Sequence, residues 1–223
     1  MEYGQIAGNS SIDALIHRCF EFIDDKDRKE FLGKFCRQPH DSDQIMHTFR
    51  ELILGAYLNS HGFTGKYEYK IGAKTPDWCL LNRDNTIKSI IELLNFHIDE
   101  ATNQYIMEQR KTTQVVVYWQ DANKNNLERL LSRIQQKIDQ YAALVSESKI
   151  SYVIAIFTHF EVVIDFNKGL LPRLMNEEPG LFNKYNELSG VVFFEEISGK
   201  YYFRYAKNPR AIRQICIPEG IFP

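Results

Sequence analysis

The spacing of apolar residues changes along the chain, and these changes limit the folds open to it. Three segments ending at Gly62 carry apolar residues at helical intervals, namely "SSIDALIHRCFEFI", "RKEFLGKFCRQP" and "DSDQIMHTFRELILGAYLNSHG". Three strand-like segments follow, namely "KYEYKI", "DWCLLN" and "TIKSIIELLNF". The last two are joined through "RDN", which is typical of a hairpin. The first half of the chain therefore predicts helices followed by paired strands.

The second half mixes both kinds of element. "NNLERLLSRIQQKIDQYAALV" predicts an amphipathic helix, "SYVIAIFTHF" a buried strand, "LLPRLM" a short helix, and "GVVFFEEISGKYYFRYA" a hairpin turning at Ser198 and Gly199. Residues 98–120 are ambiguous, because "DEATNQYIMEQ" is helical in pattern and "TTQVVVYW" is strand-like. This order predicts an α/β fold with a central mixed β-sheet flanked by helices. We expect residues 1–40 to form a helical N-terminal extension and residues 41–223 the α/β domain.

Composition narrows the functional classes. The chain is 44% hydrophobic with a formal net charge of −2, so it can bury a core, and its overall field does not attract nucleic acid. The four cysteines show no zinc-binding spacing, and no signal peptide or membrane-length apolar run is present in the sequence. We therefore expect a cytoplasmic protein with no membrane association. Zinc-protease, nucleophile-elbow, P-loop and dinucleotide-binding motifs do not occur in the sequence.

The most unusual residue is Glu92, a charged side chain inside the apolar run "SIIELL". Strand alternation places it on one face with Ile90, Leu94 and Phe96, where a carboxylate is costly unless it is paired, protonated or bound to a cation. A tight hairpin brings Asp77, at the start of the preceding strand, beside it. Two carboxylates so close repel each other, and a divalent cation relieves the repulsion. A Pro-Asp pair at a strand start is also typical of a simple turn.

Glu51 is a third candidate carboxylate. Its helix is apolar on more than one side, because Leu54 and Leu58 lie opposite the main apolar stripe, and this predicts partial burial of Glu51. The alternative is that Glu51 belongs to a solvated helix face.

These features resemble the PD-(D/E)XK nuclease superfamily over about residues 45–160. The resemblance rests on the helix with Glu51, the "TPDW" and "SIIELLNF" strands and a later helix with a Lys near a Tyr. It implies metal ligands at Asp77 and Glu92, a main-chain carbonyl near Leu93, support from Glu51, and Mg²⁺ or Mn²⁺ as the cofactor. It also implies hydrolysis of DNA phosphodiesters.

The sequence departs from that superfamily at Leu94. The usual pattern reads like "IEVKN" and this chain reads "IELLN", so the lysine that orients water and stabilises phosphate charge is missing. Lys137 is the best substitute, since it lies four residues before Tyr141 on one helical face. Lysines on such helices are commonly solvated, so a catalytically inactive domain of this fold, acting as a nucleic-acid or protein-binding module, is the alternative function. A plain structural domain with coincidental carboxylates is a third alternative.

A local basic stretch, "GKYYFRYAKNPRAIRQ", interleaves cations with aromatic residues and suits phosphate gripping with base stacking. Its candidate DNA contacts are Lys200, Arg204, Lys207, Arg210 and Arg213. The alternative is a hairpin with its aromatic side chains inward. The sequence leaves open whether the chain forms a homodimer or binds a protein partner.

Overall fold

The computed structural model describes residues 10–37, 42–113, 122–158, 162, 164–176 and 180–223. The described helices are α1 (Ser10–Phe20), α2 (Asp25–Arg37), α3 (Ser42–Ser60), α4 (Glu100–Arg110), α5 (Ala122–Ser148), α6 (Leu171–Met175) and α7 (Leu181–Lys184). The described strands are β1 (Thr64–Tyr67), β2 (Trp78–Leu81), β3 (Ile87–Phe96), β4 (Ser151–Thr158), β5 (Leu188–Ile197), β6 (Lys200–Lys207) and β7 (Gly220–Phe222). A π-helical turn, Phe166–Leu170, leads into α6.

The described strands form one mixed sheet in chain order, β1 to β7. Pairing is antiparallel from β1 to β3, parallel from β3 to β5, and antiparallel from β5 to β7. The connections between parallel strands carry helices, as parallel pairing requires. The predicted α/β fold, a central mixed sheet flanked by helices, is confirmed.

Both predicted hairpins are present, and each turn contains residues with positive φ. Asn85 has φ 63° in the β2–β3 turn, and Ser198 and Gly199 have φ 54° and 77° between β5 and β6. The two successive positive values at Ser198 and Gly199 are characteristic of the tight turn whose twist matches paired strands. The β2–β3 turn has one such residue, and the pairing of Trp78 with Ile91 in this hairpin sets Asp77 against Glu92.

Helices cover both faces of the sheet. One apolar cluster joins α1, α2 and α3 to alternate strand residues such as Trp78, Ile91 and Leu93. The other joins α5, the π-helical turn and α7 to the intervening residues, such as Cys79, Ile90 and Ile154. Double coverage explains why every residue of β2 and β4 is buried and why most of them are apolar.

The N-terminal extension is part of this core. Ile16, Phe31 and Phe35 are fully buried and belong to the same apolar cluster as α3 and the sheet. No helix in the described ranges combines the length and apolar character needed to cross a membrane.

One segment differs from the structure that the sequence predicts, and the ambiguous region 98–120 is described only in part. "KYEYKI" was expected to be one strand, but β1 ends at Tyr67 because Glu68 adopts φ 44°. In the ambiguous region, α4 accounts for the helical part. The predicted strand "TTQVVVYW" falls from residue 114 onward outside the described residues.

Candidate functional site

Asp77 and Glu92 lie side by side where β2 begins. Trp78 pairs with Ile91 in the antiparallel register, so Asp77, one residue earlier, stands opposite Glu92. The main-chain N–H of Asp77 donates to Oε1 of Glu92 at 3.2 Å. The sequence-based expectation that the two residues lie across from each other is therefore confirmed.

The Asp77 side chain also binds the backbone of β3. Its Oδ2 accepts a hydrogen bond from the main-chain N–H of Leu93 at 2.6 Å. Because the N–H and C=O of one strand residue point toward the same neighbouring strand, the Leu93 carbonyl is directed to the Asp77 side as well. Asp77, Glu92 and the Leu93 carbonyl thus meet at one edge of β3.

Lys137 reaches this carboxylate pair from α5. Its Nζ lies 2.7 Å from Oε2 of Glu92, whose residue is only 2% exposed. The hydroxyl of Tyr141, one helical turn further along, also hydrogen-bonds to Glu92. The structure therefore brings together Asp77, Glu92, Lys137 and Tyr141 on the α5 side of the sheet.

Tyr152, in β4, holds α5 in position against the sheet. Its hydroxyl donates to the main-chain carbonyl of Lys137 at 3.0 Å. Sequence reasoning missed this residue, although it is the one large side chain with a polar tip in the run "YVIAIF". A buried tyrosine hydroxyl needs a hydrogen-bond partner, and that requirement is the signal that could have identified it.

Leu94 occupies the position where the superfamily pattern has lysine. It is half-buried and packs against the apolar cluster beneath α5. The contact it makes is hydrophobic, so the cation at this site comes from the helix.

Glu51 is 4% exposed, so it is buried as predicted. Its carboxylate, however, binds one residue of β1 and one of α3. Oε2 accepts from the hydroxyl of Tyr67, and Oε1 lies 3.1 Å from Nε2 of His47. Trp78 adds a hydrogen bond from its indole N–H to the Glu51 carbonyl at 2.9 Å. The structure therefore ties Glu51 to partners other than the Asp77–Glu92 pair.

Within the described ranges, no group of three or more His, Cys, Asp or Glu side chains is arranged to hold a metal ion. Glu51 still acts on the pair through its charge, because it contributes to raising the pKa of Asp77. The three predicted carboxylates thus comprise a close pair and a more distant third charge.

The electrostatics of the pair favour a bound cation or a retained proton. Burial raises the pKa of Asp77 to about 7, with further increases from the charges of Glu92 and then Glu51. Lys137 and the Leu93 N–H oppose this rise. Burial and then the charge of Glu92 raise the pKa of Tyr141 well above its usual range, so its hydroxyl remains a donor.

Two carboxylates and a main-chain carbonyl are oxygen donors of the kind that Mg²⁺ and Mn²⁺ accept. Magnesium is commonly held by one or two carboxylates, with water and substrate phosphate oxygens completing its shell. Asp77, Glu92 and the Leu93 carbonyl supply oxygen donors on rigid strands.

The basic C-terminal stretch does not form one patch. Lys200 and Lys207 stand at opposite ends of β6, about 23 Å apart at strand spacing. Arg204 is paired with Glu195 at 3.2 Å, while Arg210 and Arg213 are exposed beyond the strand. The five cations are therefore spread over the surface.

The expected base stacking by the aromatic residues of this stretch is wrong for its buried members. Tyr201 and Phe203 are 4% and 2% exposed, and the ring of Phe203 stacks on Tyr57 with centroids 3.6 Å apart. Alternation along β6 turns these rings into the core under α3, because that face is covered by helices. The alternative of a hairpin with inward aromatic side chains applies to them.

Comparisons with protein-family models, with curated proteins and with solved structures give no match to this chain. Its function is therefore inferred from the site itself.

Proposed function

We propose that this chain is a Mg²⁺- or Mn²⁺-dependent nuclease-like hydrolase of DNA phosphodiesters, in which Lys137 replaces the lysine missing at Leu94. The observation that carries the proposal is the 2.7 Å contact between Lys137 and Glu92, with Asp77 directly beside Glu92. Metal-dependent phosphodiester hydrolysis needs oxygen ligands for the metal and a positive charge near the phosphate. Asp77, Glu92 and the Leu93 carbonyl would supply the ligands, and the Lys137 ammonium would supply the charge.

Each side chain has a distinct part in this proposal. Asp77, Glu92 and the Leu93 carbonyl would hold the metal ion, which when bound supplies Lewis acidity and an activated water. The ammonium of Lys137 stabilises negative charge that develops on the phosphate oxygens as water adds to phosphorus and the P–O bond breaks. Tyr141 donates to Glu92 and fixes its orientation.

The order of elements also supports the proposal. α3, β1, β2 and β3 precede α5 and β4, which is the order on which the resemblance to the PD-(D/E)XK superfamily rests. Cys19, Cys36, Cys79 and Cys216 are free thiols, which suits the cytoplasmic location that we propose.

The test is cleavage of labelled single- and double-stranded DNA by purified protein with Mg²⁺ or Mn²⁺. We expect wild-type protein to cleave and Lys137→Ala to lose about 10²–10³-fold in kcat, as for other single transition-state donors. Leu94→Lys should help little, because the charge is already supplied from α5. Lys88→Ala is the matched control, since Lys88 is an exposed lysine of the same strand, four residues from Glu92, and its ammonium lies over the Phe63 ring on the other side of the sheet.

Cleavage that is unaffected by Lys137→Ala would refute the role of Lys137. Cleavage that survives the double change Asp77→Asn, Glu92→Gln would indicate a contaminating nuclease.

The alternative function is a catalytically inactive binding module. The hydrophobic packing of Leu94 is the observation that favours it. Under this alternative, wild-type protein binds DNA or a protein partner without cleavage, and Leu94→Lys restores a trace of activity.

A further inference from the structure

A groove lies next to the carboxylate pair, at the carboxyl end of β3. It encloses about 400 Å³ between α5 and the chain that leads from β3 into α4. Its walls are residues 94–100 on one side and Arg129 and Arg133 on the other. The groove is therefore polar and opens beside the proposed catalytic residues.

One face of α5 connects this groove to the catalytic cluster. Arg129, Arg133 and Lys137 follow one another at intervals of four residues, which is about 6 Å per step along one helical face. Such steps are comparable to the spacing of successive phosphates along one nucleic-acid strand. The cationic face thus leads from Glu92 into the groove.

Arg129 builds the groove wall. Its guanidinium donates to the Asn126 side chain at 2.9 Å and to the His97 carbonyl at 3.2 Å, and it lies 5.1 Å from the centre of the Phe96 ring. These contacts fix the β3–α4 connection against α5.

Arg133 is different, because it is exposed and forms no ion pair with any residue in the described part of the chain. The acidic residues of the groove have other partners. Asp99 accepts from the Thr102 N–H at 2.9 Å and lies near Arg129, and Glu100 accepts from Gln104 at 2.9 Å. Arg133 therefore presents an available guanidinium to the groove.

Asn95 also lines the groove, but alternation along β3 turns its side chain toward α3, where its amide nitrogen contacts Nδ1 of His47. Its buried side-chain oxygen is therefore not assigned to a ligand in the groove. The group that the groove offers to a phosphate is the guanidinium of Arg133, in line with Arg129 and Lys137.

We propose that this groove binds one nucleotide of a single nucleic-acid strand next to the phosphodiester at the catalytic cluster, with Arg133 contacting its phosphate. The inference rests on the proposed function for the position of the cleaved bond. A volume of about 400 Å³ accommodates a nucleotide and not a duplex. Arg133 is thus a substrate-binding residue and not a catalytic one.

The experiment compares wild type, Arg133→Gln and Arg83→Gln. Binding of a short fluorescent single-stranded oligonucleotide is measured by anisotropy in chelator over a series of salt concentrations, and cleavage is measured separately with Mg²⁺. Arg133→Gln should raise Kd and KM about tenfold, since one charge-assisted contact is lost, with kcat nearly unchanged. The slope of log Kd against log salt should fall by about one. Arg83→Gln removes an exposed arginine in the β2–β3 turn, outside the groove, and should behave as wild type.

The outcomes separate this inference from the proposed function. If wild type cleaves DNA and Arg133→Gln has the KM and salt slope of Arg83→Gln, the nucleotide site is overturned and the nuclease proposal stands. If wild type cleaves nothing while Arg133→Gln still weakens binding and flattens the slope, the site stands and the nuclease proposal fails. Absence of oligonucleotide binding by wild type overturns the site.

Discussion

At the scale of single residues, the energetics of Asp77 connect stability to pH. Its pKa is about 7 in the folded protein against an ordinary value of 3.8. Below about pH 4 the carboxyl is protonated in both states, and between about pH 4 and 7 only the folded state keeps the proton. The free energy of unfolding of metal-free protein should therefore fall as pH rises through this window, by as much as about 4 kcal/mol from this residue.

Urea unfolding in chelator at a series of pH values measures this effect. Asp77→Asn should remove most of the decline, because an amide oxygen still accepts from the Leu93 N–H but does not ionise. Excess Mg²⁺ should also flatten the profile by stabilising the ionised pair. An unchanged pH dependence in Asp77→Asn would show that Asp77 does not retain its proton on folding.

The Glu92–Lys137 pair gives a second prediction at this scale. Removing the cation with Lys137→Met leaves a carboxylate with 3% side-chain exposure uncompensated, which should cost about 3 kcal/mol in metal-free buffer. Adding Glu92→Gln should recover most of this loss, so the double-mutant cycle is strongly non-additive. Additive losses in urea unfolding would mean that the two groups do not stabilise each other.

Glu92 and Lys137, which contact each other in the structure, can be selected as candidate site residues from the sequence. The first is a charge in an apolar strand, and the second belongs to a Lys-x-x-x-Tyr pattern on a helix. Sequence reasoning could not show that Glu51 is held by Tyr67 and His47. A helical pattern predicts burial of a side chain, but the partners depend on which layer the helix joins, and that is set by tertiary packing. The same limit applies to the basic stretch, because the covered face of β6, into which Phe203 points, is also set by tertiary packing.

At the scale of elements, α3 lies close against the sheet at Gly55. A Cβ at this position would lie 1.8 Å from Cζ2 of Trp78. Trp78 is the first residue of β2, directly after Asp77, so the glycine allows the helix to pack over the start of the site. Gly55→Ala should therefore destabilise the protein by about 2–3 kcal/mol, although alanine favours helix formation.

Gly33→Ala in α2 is the matched control, because the nearest atom to its Cβ is the flexible end of Arg37 at 3.4 Å. This change should be neutral or stabilise by up to about 1 kcal/mol. Thermal unfolding of both variants checks the prediction. Equal effects at Gly55 and Gly33 would show that the contact with Trp78 does not limit packing.

The elements themselves were largely predictable where the apolar period is sustained, as in α3, α5 and the β2–β3 hairpin. Short elements were not. β1 stops at Tyr67 through the backbone conformation of Glu68, and β7 has three residues that are ordered by pairing with β6. Such segments carry too few residues for a period, so tertiary contacts decide their structure.

At the scale of the whole molecule, the N-terminal helices brace the site from the opposite face of the sheet. Phe31 stacks on Tyr67 with centroids 4.0 Å apart and lies 6.1 Å from Trp78. Lys34 donates to the hydroxyl of Tyr67 at 2.6 Å, and Tyr67 in turn donates to Glu51. Residues of α2 therefore contact the strands that position Asp77.

This arrangement predicts that a fragment of residues 41–223 does not fold cooperatively. Its loss of α1 and α2 exposes the apolar surface that Phe31 and Phe35 cover, and the apolar cluster on this face of the sheet cannot be divided without exposing both parts. In the chain of 223 residues, Phe31→Ala should lower the free energy of unfolding by about 3–5 kcal/mol through the cavity it leaves. Lys29→Ala, on the exposed side of the same helix, should stay within about 0.5 kcal/mol of wild type. Near-ultraviolet circular dichroism and urea unfolding distinguish the cases: a fragment with a cooperative transition and native aromatic signals would show that the α/β domain is independent of α1 and α2.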